Sequence, residues 1–394
     1  MVRCIYLGEK ARRIEWNGQM KILAINAGSS SVRLGAYEVG NGKAECLWKW
    51  REKISDHNPE QTLRRILLAK RSEPFDVAVH RLVHGGQTIL GPSFADTKIK
   101  AAVEALVSLA PLHNRPFLAW LKAAEHAIGA RALQVVVPDT GFYANLPDRA
   151  RRYALPAGLC EEIGIRRFGF HGLAHESMVR TWHATASPLD PDAARLISLQ
   201  LGSGCSVTAT LGKAPVDTSM GFTPLEGLVM ATRAGDLDSG IVLHLMQAGL
   251  DADSISDLLN HQSGLLGLSG FSGDMQDLLS SSSSDARLAI EVYCYRARKY
   301  VGAYLSALAG ADAILFGGGV GENSPDIRGM ILDQMGWLGV EIDNDKNRSA
   351  NSLTRKISTK QSRIAVWVIR VDEEQLMTQA AYDLVQGMEP NTTP

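Results

Sequence analysis

The sequence predicts an α/β protein built from two related halves, and three observations support this fold class. The chain has 394 residues, which is enough for two domains with a core each. Strand-like apolar segments alternate along it with segments of helical periodicity. A strand–turn–strand pattern also occurs twice, once in each half. Together these features favour a duplicated unit that contains strands and helices.

The repeated pattern lies at residues 21–37 and 196–211, where an apolar strand enters a Gly-Ser turn and a second strand follows. Aligning the two turns places Ile22 opposite Leu196, Ala24 opposite Ser198 and Asn26 opposite Gln200. Hairpins with Gly-Ser turns are common, so the repeat by itself indicates a duplication without establishing it.

The remaining elements follow from periodicity and from helix start signals. The predicted strands are 76–86, 133–142, 311–317 and 364–371. Helical periodicity covers 101–128, with interruptions around Pro111 and Pro116, and 291–308. Two further helices are predicted, one that begins at Ser324–Pro325 and one that closes the chain. The predicted divisions are an N-terminal extension at 1–20, a first domain at 21–150 closed by a helix at 375–394, and a second domain at 151–374. Met20 directly precedes the first strong strand and is the predicted natural start.

Charge and cysteine content exclude several function classes. The chain has 41 Lys plus Arg against 42 Asp plus Glu, a net charge of -1, which gives no overall field for nucleic acid or a membrane surface. The five cysteines form no CxxC pair, so neither a disulfide framework nor a zinc site is indicated. No apolar run approaches the ~18 residues of a membrane span. A cytoplasmic protein is predicted.

Three glycine-rich segments follow apolar strands, at residues 28–31, 202–204 and 317–321. Glycine lets backbone N–H groups approach phosphate oxygens, and serine hydroxyls add further donors. A single segment of this kind is more often an ordinary turn. Three of them at strand ends indicate a nucleotide site, and no GxxxxGK[ST] motif of a P-loop enzyme is present.

Cationic and acidic side chains lie near these segments. Arg81 and Arg233 neighbour small residues, and planar guanidinium groups suit both carboxylate and phosphate. Asp139, Glu373 and Glu374 follow predicted strands, where an α/β protein holds Mg²⁺ or orients a nucleophile. Each of these residues alone is explained equally well as a surface ion pair or a helix-terminal charge.

Histidines form a further candidate group. His171 and His175 have the spacing of a metal pair on a helix, but the residues between them make zinc a poor interpretation. His113 lies in a mostly apolar segment, where a histidine is often a buried residue with a hydrogen-bond partner.

The motifs in their order along the chain resemble those of the acetate kinase family, which includes propionate and butyrate kinases. They are NAGSSSVR, HRLVHGG, LAPLHN, DTGF, RRFGFHGLAH, LGSG, DTSMGFTPLEGL, TRAGDLD, SGLLGLSG, GGGVGENS and DEEQLM, and they extend from about Lys21 to Leu384. The resemblance implies the duplicated sugar-kinase/Hsp70/actin-like fold with a nucleotide cleft between two domains. It also implies a homodimer that uses ATP or ADP with Mg²⁺ or Mn²⁺ and converts acetate to acetyl phosphate by direct in-line phosphoryl transfer.

The resemblance implies a role for each matching residue. The catalytic residues are Asp139, Arg81, Arg233, His171 and His113, with the two arginines holding the carboxylate and the transferring phosphoryl group. The acyl group contacts Arg81, Val83, Leu112, Phe170 and Pro224. The nucleotide contacts Ser29, Ser31, Arg33, Gly202, Ser203, Gly204, Asp274, Gly319, Val320, Gly321 and Asn323. The metal is associated with Asn26 and Glu373.

The acyl-pocket residues are apolar, which favours a short acyl carboxylate over a sugar, and Val83 narrows the pocket toward acetate. Propionate is the alternative acceptor. Ser203 and Gln276 replace the family's Asn and Arg on the nucleotide side, so another nucleoside triphosphate or pyrophosphate remains an alternative donor. A non-catalytic actin- or Hsp70-like module is the alternative from another class, and the presence of both arginines argues against it.

Overall fold

The computed structural model describes residues 2–7, 10–15, 19–28, 31–53, 58–107, 110–186, 190–350 and 352–387, with the backbone alone described at 2–7, 10–15 and 111–112. The chain divides into two compact units. The first unit contains residues 1–144 and 372–394, and the second contains residues 145–371. The predicted divisions lie at residues 150 and 374.

The first unit contains a six-stranded sheet and a separate antiparallel pair of strands. Its strands are β1 (Val2–Leu7), β2 (Lys10–Glu15), β3 (Gln19–Ala27), β4 (Ser31–Gly40), β5 (Lys43–Lys53), β6 (Val77–Leu82), β7 (Ser93–Phe94) and β8 (Leu133–Pro138). The helices are α1 (Pro59–Ala69), α2 (Thr97–Ala105), α3 (Pro111–Ile128) and α15 (Glu373–Gln386), with a 3₁₀ helix at Asp139–Tyr143. The sheet order is β5-β4-β3-β6-β8-β7, and β1 pairs with β2. The segment predicted as an extension thus contains two strands.

The second unit contains a six-stranded sheet and most of the helices. Its strands are β9 (Arg195–Leu201), β10 (Cys205–Leu211), β11 (Ala214–Thr218), β12 (Ala313–Gly317), β13 (Thr354–Lys356) and β14 (Ala365–Ile369). The helices are α4 (Asp148–Arg151), α5 (Ala157–Ile163), α6 (Gly172–Ala186), α7 (Ser239–Gln247), α8 (Ala252–His261), α9 (Gly264–Ser269), α10 (Met275–Ser280), α11 (Ser284–Ala307), α12 (Gly318–Asn323), α13 (Pro325–Leu332) and α14 (Asn344–Arg348), with a 3₁₀ helix at Gly336–Leu338. The sheet order is β11-β10-β9-β12-β14-β13.

Each sheet packs its apolar residues against helices of its own unit. In the first unit, Leu23 and Leu34 of the sheet belong to one core with Leu63 of α1 and Trp120 of α3. Removing a buried leucine side chain of this kind costs ~2–5 kcal/mol of stability. A second core joins Leu82 of β6 and Val136 of β8 to α3. The two cores together hold β3, β6 and β8, whose carboxyl ends carry the candidate site residues of this unit.

The second unit repeats this arrangement with different residues. Leu196 and Leu315 of the sheet pack with Met178 and Trp182 of α6 in one core. The start of α13 is determined by neighbouring residues, because the side chain of Ser324 caps this helix and Pro325 occupies its first turn. The predicted start of this helix is confirmed.

The duplication extends to a side-chain contact at the start of the paired strands. The carboxylate of Asp76 accepts a hydrogen bond from the backbone N–H of Lys21 at 2.8 Å. The carboxylate of Asp312 accepts one from the backbone N–H of Arg195 at 2.7 Å. In both sheets the strand that begins just after the aspartate is parallel to the strand that donates the hydrogen bond. These parallel pairs are β6 with β3 and β12 with β9. The predicted α/β class and its duplicated unit are confirmed.

Three elements differ from their prediction. The segment 101–128 contains the end of α2 and all of α3, so it is interrupted before Pro111 as predicted, but Pro116 lies inside α3 without ending it. The glycine-rich segment after β12 was predicted to be a turn, but it forms the short helix α12, which Gly318 enters at φ 78°. The closing helix was placed at 375–394 and begins at Glu373, because the side chain of Asp372 accepts from the backbone N–H of Gln375 at 3.0 Å. Among the described residues, no helix is long and apolar enough to cross a membrane.

Candidate functional site

A buried ion pair lies at the carboxyl ends of β6 and β8 in the first unit. Nε and Nη2 of Arg81 donate to Oδ2 of Asp139 at 3.1 and 2.6 Å, and Nη1 donates to Oδ1 of Asn26 at 3.2 Å. Asp139 is fully buried, while 10% of the Arg81 side chain is exposed. The guanidinium plane is therefore fixed on its inner side, with one part of the group left accessible.

The first turn of α15 brings two more carboxylates to this pair. Nδ2 of Asn26 donates to Oε2 of Glu373 and to Oε1 of Glu374, both at 2.7 Å. Arg33 pairs with Glu373, and its Nε lies 3.2 Å from Oε1 of Glu374. We call this group of six residues the acidic cluster. Its members are Asn26, Arg33, Arg81, Asp139, Glu373 and Glu374.

The acidic cluster carries three carboxylates and two guanidinium groups, so its formal charge is -1. Burial lowers the pKa of Arg81, but the charges of Asp139 and Glu373 outweigh burial and raise it. Its guanidinium group thus stays charged throughout the working pH range. The excess negative charge and the oxygen ligands suit a hard divalent cation.

The metal-binding capacity of the cluster is limited. No group of three or more His, Cys, Asp or Glu side chains among the described residues could hold a metal ion. A site of one or two carboxylates fits Mg²⁺, which keeps several waters and takes substrate phosphates as further ligands. Asn26 and Glu373, the predicted metal residues, lie together in the acidic cluster.

The predicted acyl-binding segment lies next to this cluster along the chain. Val83 is 8% exposed and follows β6 directly. Nδ2 of Asn114 donates to the backbone oxygen of His84 at 3.1 Å, which ties this segment to the start of α3, where His113 is half-buried. The side chain of Leu112 lies outside the described residues.

The first phosphate loop is described only in part. The backbone N–H of Gly28 donates to the oxygen of Ser31 at 2.9 Å, so the turn between β3 and β4 is closed. Ser29 lies outside the described residues, and its predicted role stays a prediction.

In the second unit, His171 lies against the turn between β9 and β10. Its Nδ1 is 2.9 Å from Oγ of Ser206. A Cβ atom at Gly204 would lie 3.1 Å from both Cε1 and Nε2 of the ring, so the Nε2 edge faces the LGSG turn. The neighbouring Phe170 is buried. The structure therefore brings His171 together with the predicted phosphate turn.

Arg233 lies in a segment bonded to the same turn. The backbone N–H of Ala231 donates to the oxygen of Ser203 at 3.0 Å. Nη1 of Arg233 donates to the oxygen of Pro224 at 3.3 Å. Burial lowers the pKa of Arg233, and Cys205 acts weakly in the opposite direction. The predicted acyl residue Pro224 and the predicted catalytic arginine are thus neighbours.

The predicted nucleotide residues 319–323 lie in α12. Nδ2 of Asn323 donates to the oxygen of Gly319 at 2.8 Å. Oε1 of Glu322 accepts from the backbone N–H groups of Gly318 and Val371, both at 3.1 Å. Asp274 instead caps α10, and none of its hydrogen bonds within the described chain joins it to another predicted nucleotide residue.

Glu374, which follows the same predicted strand as Glu373, shares the acidic cluster. Other residues around these groups were not predicted. Ser206 contacts the ring of His171. Arg328 is 1% exposed, and its Nη1 donates to the oxygen of Gly321 at 2.8 Å at the end of α12. Its partners lie in two other helices, α12 and α14, so no periodic pattern within its own helix could identify it.

A family model described as the Acetokinase family matches residues 54–379. An acetate kinase of Solibacter usitatus is 43% identical over 313 residues, which cover 78% of this chain and 75% of that protein. An acetate kinase of Coprothermobacter proteolyticus is 37% identical over 407 residues, and the match covers 94% of this chain and 100% of that protein.

Solved structures are similar over nearly the whole chain. A crystal structure of an acetate kinase of Porphyromonas gingivalis has a TM-score of 0.80 and 33% identity, and the match covers 93% of this chain and 100% of that one. A crystal structure of a propionate kinase of Francisella tularensis subsp. tularensis has a TM-score of 0.82 and 31% identity, with 92% and 99% covered.

Proposed function

The chain belongs to the acetokinase family, and we propose that it transfers the γ-phosphoryl group of ATP reversibly to acetate, giving acetyl phosphate and ADP. The resemblance predicted from the motifs is thereby confirmed. In the proposed reaction a carboxylate oxygen forms a bond to the γ-phosphorus. The bond from that phosphorus to the bridging oxygen breaks, and ADP leaves with the electron pair.

The buried pair of Arg81 and Asp139 carries this proposal. Acetate is already ionised at neutral pH, so the reaction needs no strong general base. It needs fixed positive charge near oxygens that are negative throughout the transfer. Asp139 holds Arg81 in one orientation and favours its charged form, which supports a role for Arg81 in binding the carboxylate or the phosphoryl group.

Further cationic and hydrogen-bonding groups have proposed roles in the transition state. Arg233 neutralises the phosphoryl oxygens, and His171 donates to one of them from Nε2, with His113 in support. For Arg233, the position beside Pro224 supports contact with the acyl end of the reacting groups. Charge neutralisation and positioning together supply the catalysis, with no covalent enzyme intermediate.

Mg²⁺ is the proposed metal, held through Asn26 and Glu373. When bound, it neutralises charge on the nucleotide phosphates. The excess negative charge of the acidic cluster supports this assignment, because the cation offsets it. The proposed nucleotide contacts are those that the resemblance implies: Ser29, Ser31, Arg33, Gly202, Ser203, Gly204, Asp274, Gly319, Val320, Gly321 and Asn323.

Acetate is the proposed acceptor and propionate the alternative. Val83, Phe170 and Pro224 are apolar, and one methylene is worth only ~1–3 kcal/mol in a pocket of this kind. The propionate kinase among the similar structures supports the alternative. On the donor side, Ser203 is exposed and shorter than asparagine, so pyrophosphate is the alternative to ATP.

The test is acyl phosphate formation, trapped as the hydroxamate. Purified protein with Mg²⁺ is given acetate, propionate or butyrate in turn, with ATP or pyrophosphate as donor. We expect the largest kcat/KM for acetate with ATP. A folded protein that produces no acyl phosphate from any pair would overturn the proposal, and a larger kcat/KM for propionate would replace the acceptor.

We also propose a homodimer, and the surface of α7 supports it. This helix has no buried residue, and three of its large apolar side chains are exposed. Ile241, Leu243 and Met246 are 43%, 61% and 54% exposed. Clustered apolar exposure of this kind marks an interaction surface.

A cytoplasmic location is also proposed. The free thiols at Cys46, Cys160, Cys205 and Cys294 support a reducing compartment.

Light scattering during size-exclusion chromatography tests the dimer. We expect twice the chain mass of 42.7 kDa for the wild type and the chain mass for Leu243→Glu. Leu68→Glu, at an 81% exposed position on α1, is the matched control and should leave the mass unchanged. A wild-type monomer at micromolar concentration would contradict the proposal.

A further inference from the structure

A short segment after β6 is bound by side chains from two other parts of the first unit. We call residues 83–86 the VHGG segment. Nδ2 of Asn114, near the start of α3, donates to the backbone oxygen of His84 at 3.1 Å. Oγ1 of Thr140, in the 3₁₀ helix after β8, accepts from the backbone N–H of Gly85 at 3.1 Å.

Both hydrogen bonds engage the same peptide group. The oxygen of His84 and the N–H of Gly85 belong to one planar unit, and in a trans peptide they point in opposite directions. Asn114 therefore binds this plane from one side and Thr140 binds it from the other. A rotation of the plane would break at least one of the two bonds, so its orientation is fixed.

The two side chains that bind this peptide are buried. Asn114 is 0% exposed and Thr140 is 4% exposed. A buried peptide group that loses its partner costs free energy, because no water replaces the lost bond. The amide of Asn114 is oriented by its partner, since a backbone oxygen only accepts and the group that faces it must be the NH₂ group.

Thr140 joins β6 and β8 beyond the end of their ladder. The two strands are parallel, and their last pair is Leu82 with Pro138. Proline has no backbone N–H to donate. Beyond this pair, the side chain of Thr140 supplies a hydrogen bond between the segments that follow the two strands.

Close packing leaves the VHGG segment little room. A Cβ atom at Gly85 would lie 2.3 Å from the backbone oxygen of Ile89 and 3.0 Å from Cβ of Pro138. Gly86 has a φ of 63°, and a Cβ atom there would lie 2.8 Å from Cδ2 of Leu106. The backbone N–H of Ile89 donates to the oxygen of Gly85 at 3.0 Å, so the segment is part of a compact turn.

The fixed peptide lies next to the proposed acceptor site along the chain. Val83, the predicted acyl residue, comes directly before His84, and Arg81 lies two residues before Val83. Thr140 directly follows Asp139, which binds Nη2 of Arg81 at 2.6 Å. The bond from Gly85 to Thr140 therefore fixes the main chain beside Val83 relative to the ion pair of Arg81 and Asp139.

We propose that Asn114 and Thr140 are positioning residues that determine which acceptor size the site admits. By fixing the peptide between His84 and Gly85, they keep Val83 from moving back when the acyl group is longer by one methylene. Acetate is then preferred over propionate. The inference rests on the proposed transfer to a short acyl carboxylate and goes beyond it by naming residues outside the acyl pocket that control acceptor choice.

The first experiment measures kcat/KM for acetate and for propionate in wild type and in Thr140→Val. Valine keeps the shape of threonine but accepts no hydrogen bond from Gly85. We expect the ratio of kcat/KM for propionate to that for acetate to rise by about three- to tenfold, with the KM for ATP changed by less than about twofold. A smaller amount of folded enzyme lowers both values equally, so an unchanged ratio would overturn the inference.

Two matched variants accompany this measurement. Thr140→Ser keeps the hydroxyl and should leave the ratio within about twofold of wild type. Thr62→Val makes the same substitution at a 7% exposed position on α1, in the same unit, and should also leave the ratio unchanged. A rise in Thr62→Val equal to that in Thr140→Val would show that any buried threonine affects the ratio, and the inference would be wrong.

Asn114→Leu removes the other bond to the peptide at a similar side-chain volume. We expect the ratio to rise in the same direction, by about three- to tenfold, because the plane is then bound from one side alone. A ratio equal to that of wild type would remove Asn114 from the proposal.

A double-mutant cycle tests whether Thr140 acts through Val83. In a Val83→Ala background the acyl pocket is already enlarged, so Thr140→Val should change the ratio by less than about twofold. A change as large as in the wild-type background would overturn the inference, since Thr140 would then control acceptor choice without Val83.

Amide hydrogen exchange supplies a readout without turnover. Mass spectrometry of peptides that cover residues 83–90 should show faster exchange in Thr140→Val than in wild type or Thr140→Ser. Equal exchange in all three proteins would overturn the inference even in an active enzyme. A wild type that phosphorylates no acid would refute the proposed function and the role in acceptor choice with it, whereas the exchange rates would still show whether Thr140 holds the segment.

Discussion

The two six-stranded sheets have the same strand order but carry different chemistry at corresponding strand ends. In the first sheet, His80 of β6 pairs with Ile25 of β3. At the corresponding position of the second sheet, Phe316 of β12 pairs with Leu199 of β9. The residues that follow are Arg81 in the first unit and Gly317 in the second. One scaffold therefore ends in a charged side chain and the other in a glycine.

The difference shows how each end is fixed. In the first unit, side chains hold one another through the acidic cluster, centred on Arg81 and Asp139. In the second, the backbone enters α12 at Gly318 with a positive φ of 78°. A Cβ there would lie 2.5 Å from the oxygen of Leu201, so no larger residue fits without movement. Fixed side-chain charge suits the acceptor and the metal, and closely packed backbone suits nucleotide phosphates.

The two predicted catalytic arginines show the same contrast. Burial is the largest single influence on the pKa of both residues, and it acts to lower that pKa. For Arg81 the charges of Asp139 and Glu373 outweigh burial and raise the pKa, whereas the pKa of Arg233 is lowered. The surroundings therefore favour the charged form of Arg81 and disfavour that of Arg233.

The largest expected effect is that of Arg81→Ala. Removing one partner of a buried ion pair leaves Asp139 without its compensating charge and costs ~3–5 kcal/mol. The free energy of unfolding, measured with urea, should fall by that amount, and kcat/KM should fall by at least about 10³-fold.

Arg64→Ala is the control within the same unit. Arg64 pairs with Glu60 on the surface, where its side chain is 55% exposed. A surface pair of this kind is worth ~0–1 kcal/mol, so neither stability nor turnover should change measurably. If Arg81→Ala were as stable as Arg64→Ala, the acidic cluster would have no structural role.

Arg233→Ala tests the other side of the comparison. Because burial penalises the charge of Arg233, its loss should change the free energy of unfolding by less than ~1 kcal/mol. Transition-state stabilisation should fall by several kcal/mol, about 10³-fold in kcat/KM. Near-full turnover would remove the catalytic role assigned to this arginine.

Local patterns predicted much of the fold. The paired Gly-Ser hairpins and the start of α13 at Ser324 and Pro325 depend on neighbouring residues, and the structure confirms them. The α-helical form of the segment after Gly318 was missed, because a run of glycines is more often a turn.

Contacts between residues far apart in the sequence could not be predicted from local patterns. Asn26 and Glu373 are separated by 347 positions, and only the packed sheet and α15 bring them together. The contact of His171 with Ser206 was missed for the same reason, since the serine lies on a separate strand 35 positions away. The resemblance supplied site residues, whereas the structure supplied their partners.

His80 sharpens the comparison through pH. Burial lowers the pKa of His80 to about 4 from 6.5, with a hydrogen bond to Gln134 acting in the opposite direction. Between these two values the unfolded state binds more protons than the folded state, so stability rises with pH in this window and is lost as pH falls. The loss amounts to at most ~3 kcal/mol.

His80→Phe places in the first sheet the residue found at the corresponding position of the second. The variant should lose less stability than wild type between pH 7 and pH 4.5, as measured by urea unfolding at the two values. Equal losses in the two proteins would mean that His80 does not titrate in this window.

The smallest expected effect separates two adjacent glycines of the second unit. Gly318→Ala forces a side chain into a left-handed conformation, with its Cβ 2.5 Å from the oxygen of Leu201 and 2.7 Å from Nε2 of Gln200. Strain of this kind costs ~1–3 kcal/mol. Gly319→Ala meets no atom within 4 Å and lies in α12, so it should leave thermal stability unchanged or raise it slightly.

Calorimetric unfolding of the two variants, side by side, measures the difference. If backbone packing fixes this strand end, Gly318→Ala should unfold at a lower temperature than both wild type and Gly319→Ala. Equal unfolding temperatures would mean that α12 shifts to admit the methyl group. The second strand end would then be an adaptable loop, unlike the fixed charges of the first, and its glycines would serve chain flexibility rather than close packing.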